Sequence, residues 1–261
     1  MNMKDVKAIT IPQGTVKKIE NSNGDIIWGS QSAFPYRRLE YVKFSGVNEW
    51  AQTIGINSPT ATRYYTVTFS YDEAPSPNHG VILGKYDIAG SAAKNRRLYI
   101  PEIQTDGRGR FAIGDKFSSY FDLTPNTKYK STCNVQNATT LNYLLENMDT
   151  SSTVVSGSLT STGQLANSVS LGIMGLPEST GVLESLSSVI KGKIYGVTYS
   201  SSSSTITYHN LIPVQRKSDG VCGFYDPVAN VDAEKFIPLT GTNITDNAAG
   251  PVVDEYWNLN A

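Results

Sequence analysis

Charge is scarce in this chain. Lys, Arg, Asp and Glu together make 17% of the 261 residues, against about 25% in an average globular domain. The formal net charge is −1, so no basic field draws the chain to nucleic acid or to an anionic membrane surface. Long apolar runs are missing as well. No window approaches the roughly 20 apolar residues of a membrane span, and the stretch from Met1 to Lys7 has no apolar signal core. The expectation is a protein made in a cytoplasm that leaves it, if at all, by lysis or on a particle. Cysteine is limited to Cys133 and Cys222. That excludes a disulfide framework, and both thiols read as small buried hydrophobes.

The short supply of histidine narrows the chemistry further. His79 and His209 are the only two, and neither has a His, Cys or Asp neighbour at ligand spacing, which argues against zinc. His209 reads as a histidine in an alternating strand, and His79 as a loop residue beside Pro75-Ser76-Pro77-Asn78. The chain has no Gly-x-Ser-x-Gly nucleophile elbow and no phosphate-cradling Gly-Lys-Ser/Thr loop. Gly172-Ile173-Met174-Gly175 reads as a turn. Glycoside hydrolysis would need two carboxylates about 5 Å apart with one kept protonated. The nearest acidic pairs, Asp232/Glu234 and Asp254/Glu255, fall in loop or tail and read as solvated charge. The chain is expected not to be an enzyme.

Ser, Thr, Asn, Gly and Tyr fill the space that charge leaves, a mix that suits sheet faces and turns better than surface helices. Tyr64 to Tyr71 shows it best. Tyr65, Val67, Phe69 and Tyr71 fall on one face and Thr66, Thr68 and Ser70 on the other, the alternation of a half-buried antiparallel strand. Further strands are expected over 80–86, 97–103, 110–114, 128–135, 140–145, 153–158, 169–173, 192–199 and 205–212. Asp106-Gly107, Pro125-Asn126, Asn147-Met148-Asp149 and the serines 200–204 supply turns between them. Residues 141–148 tempt a helix assignment, but Leu141, Tyr143 and Leu145 alternate, which favours a strand. Strands at this spacing indicate an all-β antiparallel sandwich or jelly roll.

Four regions follow. Residues 1–30 form a small module: Val16 to Glu20 and Asp25 to Trp28 flank Asn21-Ser22-Asn23-Gly24, and Asn-Gly between alternating apolar positions is a hairpin signal. Residues 31–35 are a linker, 36–245 the sandwich, and 246–261 an extended tail whose Tyr256-Trp257 pair suggests packing. Residues 177–188 read as a long loop or a single helical turn. Sugar binding would need an exposed aromatic ring with a few polar groups, and Trp50, Tyr64, Tyr86, Tyr120 and Tyr143 are candidates that spacing does not rank. No cofactor is expected. Calcium among Asp87, Asp106 or Asp149 has no motif behind it. Asn137-Ala138-Thr139 and Asn243-Ile244-Thr245 match glycosylation acceptors and read as coincidence without a signal peptide.

Three segments carry a family resemblance. Tyr36-Arg37-Arg38-Leu39-Glu40-Tyr41-Val42, followed by Ser45-Gly46 and Trp50 through Ile56, is similar to the opening of a phage-encoded domain. Gly192-Lys193-Ile194-Tyr195, with a hairpin partner ending at Leu211-Ile212-Pro213, is the second. The third, Val214-Gln215-Arg216-Lys217-Ser218-Asp219-Gly220-Val221-Cys222-Gly223-Phe224-Tyr225-Asp226-Pro227-Val228 with Thr240-Gly241-Thr242, resembles the closing signature of the same domains. The resemblance brackets 36–245 and implies a concanavalin A-like (laminin G-like) sandwich of the kind found in minor structural, tail and fibre proteins of bacteriophages. The Gly14-x-Val16-x-x-Ile19 to Trp28 hairpin is similar to short leaders of phage tail proteins. It implies a virion protein anchored to other virion proteins through that hairpin. The sandwich would be displayed to a host surface glycan or protein, in a homo-oligomer of which a trimer is the leading form by analogy with fibres. The alternatives are a capsid or tail decoration protein with no host ligand and, behind it, a glycan-degrading enzyme.

Overall fold

The computed structural model describes residues 18–20, 26–29, 34–53, 63–85, 97–162, 171–176, 189–201, 207–229 and 235–254. Within them the chain forms β1 (Lys18–Glu20), β2 (Ile26–Gly29), β3 (Tyr36–Leu39), β4 (Val42–Ser45), β5 (Ala51–Gln52), β6 (Arg63–Tyr71) and β7 (Gly80–Val81). Next come β8 (Leu83–Lys85), β9 (Leu98–Ile103), β10 (Gly109–Ile113), β11 (Lys116–Phe117), β12 (Tyr129–Gln136), β13 (Thr140–Asn147) and β14 (Ser152–Thr160). The remainder are β15 (Gly172–Ile173), β16 (Lys191–Ser201), β17 (Thr207–Arg216), β18 (Cys222–Tyr225), β19 (Phe236–Pro238) and β20 (Val252–Asp254).

They make two sheets and a separate hairpin. The larger sheet runs β14-β13-β12-β6-β16-β17-β18-β19, with β4 on β16 and with β3 between β17 and β20. The smaller runs β11-β10-β9-β8-β15-β5, with β7 on β9. Every sheet pairing among the described residues is antiparallel, so the protein is the all-β sandwich that the alternation leads one to expect.

The central strands show why. In β6, Tyr65, Val67, Phe69 and Tyr71 are buried, and in register across β12 and β16 they meet Cys133, Ser131, Tyr129, Tyr199, Val197 and Ile194. That inner face packs on Ile82, Leu83, Ile100, Ile103, Phe111 and Ile113 of the smaller sheet in one continuous core. Full burial of a side chain such as Phe69 contributes on the order of 1.5–3 kcal/mol. Both cysteines are buried free thiols, and burial pushes each pKa up to about 12. Residues 140–147 are a strand along their whole length, paired with β12 and β14 on its two sides.

The closing signature is structural. Gly220 adopts φ +72° in the turn after Asp219, and Asp219 accepts hydrogen bonds from Arg216 and the Val221 amide. A Cβ at Gly223 would run into the Ile237 carbonyl. Cys222 and Phe224 join the main core, while Tyr225 faces the other way into a second cluster with Phe34, Tyr36, Ile212, Val214 and Phe236. Thr240-Gly241-Thr242 docks on the opening segment, where Thr240 bridges Trp50 and Thr242 Oγ1 donates to Asn48 Oδ1 at 3.0 Å.

Four details differ from the sequence reading. Gly172 and Ile173, read with Met174 and Gly175 as a turn, are strand β15 between β8 and β5. The serine run begins as strand, because Ser200 and Ser201 continue the ladder with Tyr64 and Arg63 of β6. Ser70 is buried although it lies on the outer face. The segment from Asp246 to Asp254 is not an extended tail but docks on the larger sheet, as a 3-10 turn over Asp246–Ala248 followed by β20. Its Asp246 carboxylate accepts from Gln215 Nε2 at 2.9 Å, Ala249 bridges Val42, and β20 pairs with β3. Residues 255–261, with Tyr256 and Trp257, and the loop 177–188 lie outside the described residues. The leading hairpin is present as the β1–β2 pair.

Candidate functional site

The larger sheet is split at one place. Along one edge β16 bonds β6 from Gly192 to Ser201, but Tyr195 falls out of the ladder as a bulge between Ile194 and Gly196. Along its other edge, β16 bonds β4 over 191–194 and β17 over 197–200. Tyr195 and Gly196 therefore stand where the partner changes, and the chain leaving β3 crosses there. Bulges redirect a side chain and interrupt pairing. The result is a groove of about 630 Å³ in the outer face, lined by Arg38, Glu40, Lys128, Tyr195, Asn210, Ile212, Asp254 and neighbouring backbone.

Its chemistry is an aromatic ring among hydrogen-bonding and cationic groups. The Tyr195 ring meets Tyr41 edge-on at 5.4 Å, and the Lys128 ammonium lies 4.0 Å from the Tyr195 ring centre. Lys193 sits 5.6 Å from the Tyr41 ring, with Asp72 3.5 Å away. Asn210 offers an amide from the half-buried outer side of β17. An apolar ring beside convergent polar groups is what a sugar needs from a protein surface.

Three buried carboxylates lie elsewhere among the described residues, and one of them, Glu49, accepts from the Ser45 and Asn243 amides. Asp226, 1% exposed, accepts from the His209 ring at 2.6 Å, from the Asn210 amide at 3.0 Å and from the Val228 amide at 3.1 Å. Burial pushes its pKa up, but these hydrogen bonds outweigh it and hold the group below the ordinary carboxylate value. His209 also stacks on Tyr199 at 6.0 Å. On the smaller sheet Glu102, likewise 1% exposed, holds Arg110 through two hydrogen bonds of 2.6 and 3.3 Å, and His79 Nε2 lies 3.3 Å away. Arg110 covers Phe117 at 4.0 Å and donates to the Tyr120 hydroxyl at 3.1 Å, while Arg108 covers Tyr120 at 4.5 Å and pairs with Asp106.

The aromatic residues singled out in the sequence do not converge. Trp50 is buried, and Tyr143 stacks inside the core on Phe111 at 4.5 Å. Tyr64 is half-buried on the outer face of β6, Tyr120 is exposed on the opposite side of the sandwich, and Tyr86 lies outside the described residues. The ring in the groove, Tyr195, was visible only as part of a family segment. Among the acidic residues Asp106 is engaged by Arg108, and Asp149 accepts the Lys128 amide at 3.3 Å. Asp87, Asp232, Glu234 and Glu255 lie outside the described residues. Among the described residues no group of three or more His, Cys, Asp or Glu side chains could hold a metal ion.

No family model matches the chain, and no curated protein matches it. Solved structures resemble it in shape at low identity. A proposed carbohydrate binding protein from Bacteroides ovatus is 10% identical with a TM-score of 0.48, over 83% of this chain and 62% of that one. The native heptameric SAP-like pentraxin of Limulus polyphemus is 11% identical with a TM-score of 0.42, over 62% and 76%. The exoplasmic/lumenal domain of VIP36 in its metal-free form is 8% identical with a TM-score of 0.39, over 70% and 90%. These likenesses concern the fold alone.

Proposed function

We propose that this chain is a bacteriophage virion protein whose lectin-like sandwich attaches to a glycan on the host surface, with the Tyr195 groove as its seat. The observation that carries the reading is the split in the larger sheet, which sets one ring among Arg38, Glu40, Lys128, Asn210 and Asp254. The virion assignment rests on the resemblance of the opening and closing segments to phage domains. The β1–β2 hairpin would dock on other virion proteins, and several copies in one oligomer would raise avidity without tight single-site binding. Binding without hydrolysis fits the site better. Glu40 is exposed, the opposite of the sheltered carboxylic acid that a glycosidase uses as its general acid.

Purified protein on a glycan array and on whole host cells, with and without calcium, tests this. Saturable binding that Tyr195→Ala abolishes supports the groove, and binding unchanged in that variant sinks it.

A second reading, decoration or cementing of the particle, is favoured by the Phe34, Tyr36, Tyr225 and Phe236 cluster. Its rings lie 4.9–5.5 Å apart on the outer face next to the N-terminal segment. Deleting 36–245 from the virion protein separates the two. Intact particles that no longer adsorb favour attachment, and particles that fail to assemble favour cementing.

A further inference from the structure

Building on the glycan reading of the groove, we infer that its ligand is an acidic polysaccharide, whose carboxylate, sulfate or phosphate groups lie along a row of lysines on the same sheet face. The row is set by register. Lys43 of β4 stands directly opposite Lys193 of β16, and Lys193 opposite Ser70 of β6. Lys128 precedes Tyr129, which faces Phe69, and Lys130 faces Thr68. The residues flanking these lysines, Val42, Phe44, Ile194 and Tyr129, are buried in the core, so the lysines project outward. Across β4, β16, β6 and β12 the row spans three inter-strand steps, roughly 14 Å.

These cations are not used to hold the fold together. Like charges directly opposite one another on neighbouring strands are destabilising, yet Lys43 faces Lys193. Asp72, 3.5 Å from Lys193, is the one carboxylate among the described residues that pairs with the row. Among the described residues Lys43, Lys128, Lys130 and the nearby Arg38 make no ion pair, although Glu146 stands opposite Lys130 in register. Elsewhere several cations are matched: Arg108 with Asp106, Arg110 with Glu102, Arg216 with Asp219, Lys116 with Asp115 and Lys191 with Glu73. The described residues of a chain of net charge −1 thus set four cations without an ion pair, Arg38, Lys43, Lys128 and Lys130, on one face. Lys128 over Tyr195 and Lys193 over Tyr41 tie that charge to the rings of the groove. A sugar stacked there has its acidic substituents within reach of ammonium groups, while Glu40 and Asp254, also lining the groove, disfavour anionic groups on their side.

The test compares matched polymers on the full chain: polygalacturonate with its carboxyl-reduced form, and dextran sulfate with dextran. The expected result is binding to the acidic member of a pair only, weakening steeply from about 50 to about 500 mM salt. Replacing Lys43, Lys128 and Lys130 together by Ala should cost at least about tenfold in affinity, with Lys116→Ala as a matched-lysine control that changes nothing. Thermal melting of each variant establishes that it is folded. Equal binding of neutral and acidic forms, insensitive to salt, overturns the acidic ligand and leaves the glycan reading standing. No binding of any glycan, neutral or acidic, removes both. Equal affinity for single-stranded DNA or for phosphatidylserine vesicles, with the same lysine dependence, also overturns the proposal, because the face is then a general polyanion surface.

Discussion

The two outer faces of the sandwich carry similar ingredients and use them differently. On the smaller sheet, arginines and rings form a ladder anchored from beneath: Glu102 is buried and holds Arg110, which covers Phe117 and reaches Tyr120. On the larger sheet, lysines and tyrosines also meet, but among the described residues the ammonium groups of Lys43, Lys128 and Lys130 have no carboxylate partner, and Lys43 and Lys193 oppose each other. The first arrangement is a completed network in which each charge is matched. The second leaves charge and ring surface open to solvent. Matched charge on a rigid element serves stability, whereas unmatched charge beside a groove serves a ligand.

Breaking the network should show the largest effect. Glu102→Ala leaves a half-buried guanidinium without its partner and should lower the unfolding free energy by about 3–5 kcal/mol, read from urea denaturation. A loss below about 1 kcal/mol would mean that the smaller face is no more committed to the fold than the larger. Asp226 tests whether matching or location matters, since it belongs to the larger sheet yet is fully bonded. Asp226→Asn should cost about 1–3 kcal/mol. The Asp226 pKa is held below its ordinary value of 3.8, so its contribution is present above that pH and is lost as pH falls through the lower folded-state value. The variant should lack this part of the acid dependence, and an identical acid profile would count against it.

The rings come next. Tyr195→Ala should reduce glycan binding at least about tenfold, about 1.4 kcal/mol, while Tyr120→Ala leaves it unchanged; the opposite pattern in a pull-down would exchange the roles of the two faces. Smallest is Lys43→Ala. Relieving the contact with Lys193 should stabilise the fold by about 0.2–1 kcal/mol, and the gain should shrink in high salt. Destabilisation in the same denaturation assay would show that this lysine serves the fold after all.

Much of the sandwich could be read from residue order because its signals are local. The alternation from Tyr65 to Tyr71, the Asn-Gly hairpin and the apolar character of Cys133 and Cys222 each lie within a few residues. The groove lies outside such reach. A bulge at Tyr195 exists only relative to β6, and the split appears only when β4 and β17 are both aligned on β16. The lysines are separately legible as outward positions beside core residues, but their adjacency depends on the order β4-β16-β6-β12, which no stretch of sequence encodes. Asp226 was legible only as a residue of the closing family segment. Its histidine is brought near by the pairing of β17 with β18, which no local signal in the sequence marks. The strand at Val252–Asp254 was hidden because its polar, proline-preceded sequence carries no alternation.

The position of β3 has a consequence for synthesis. One edge bonds β17 and the other β20, so this strand leaves the ribosome long before either neighbour exists. At about 5–20 residues per second it waits on the order of ten seconds or more with both edges open to foreign strands. Arg37, Arg38, Glu40 and Lys43 crowd charge into and around it, the composition that keeps a waiting strand from joining the wrong chain.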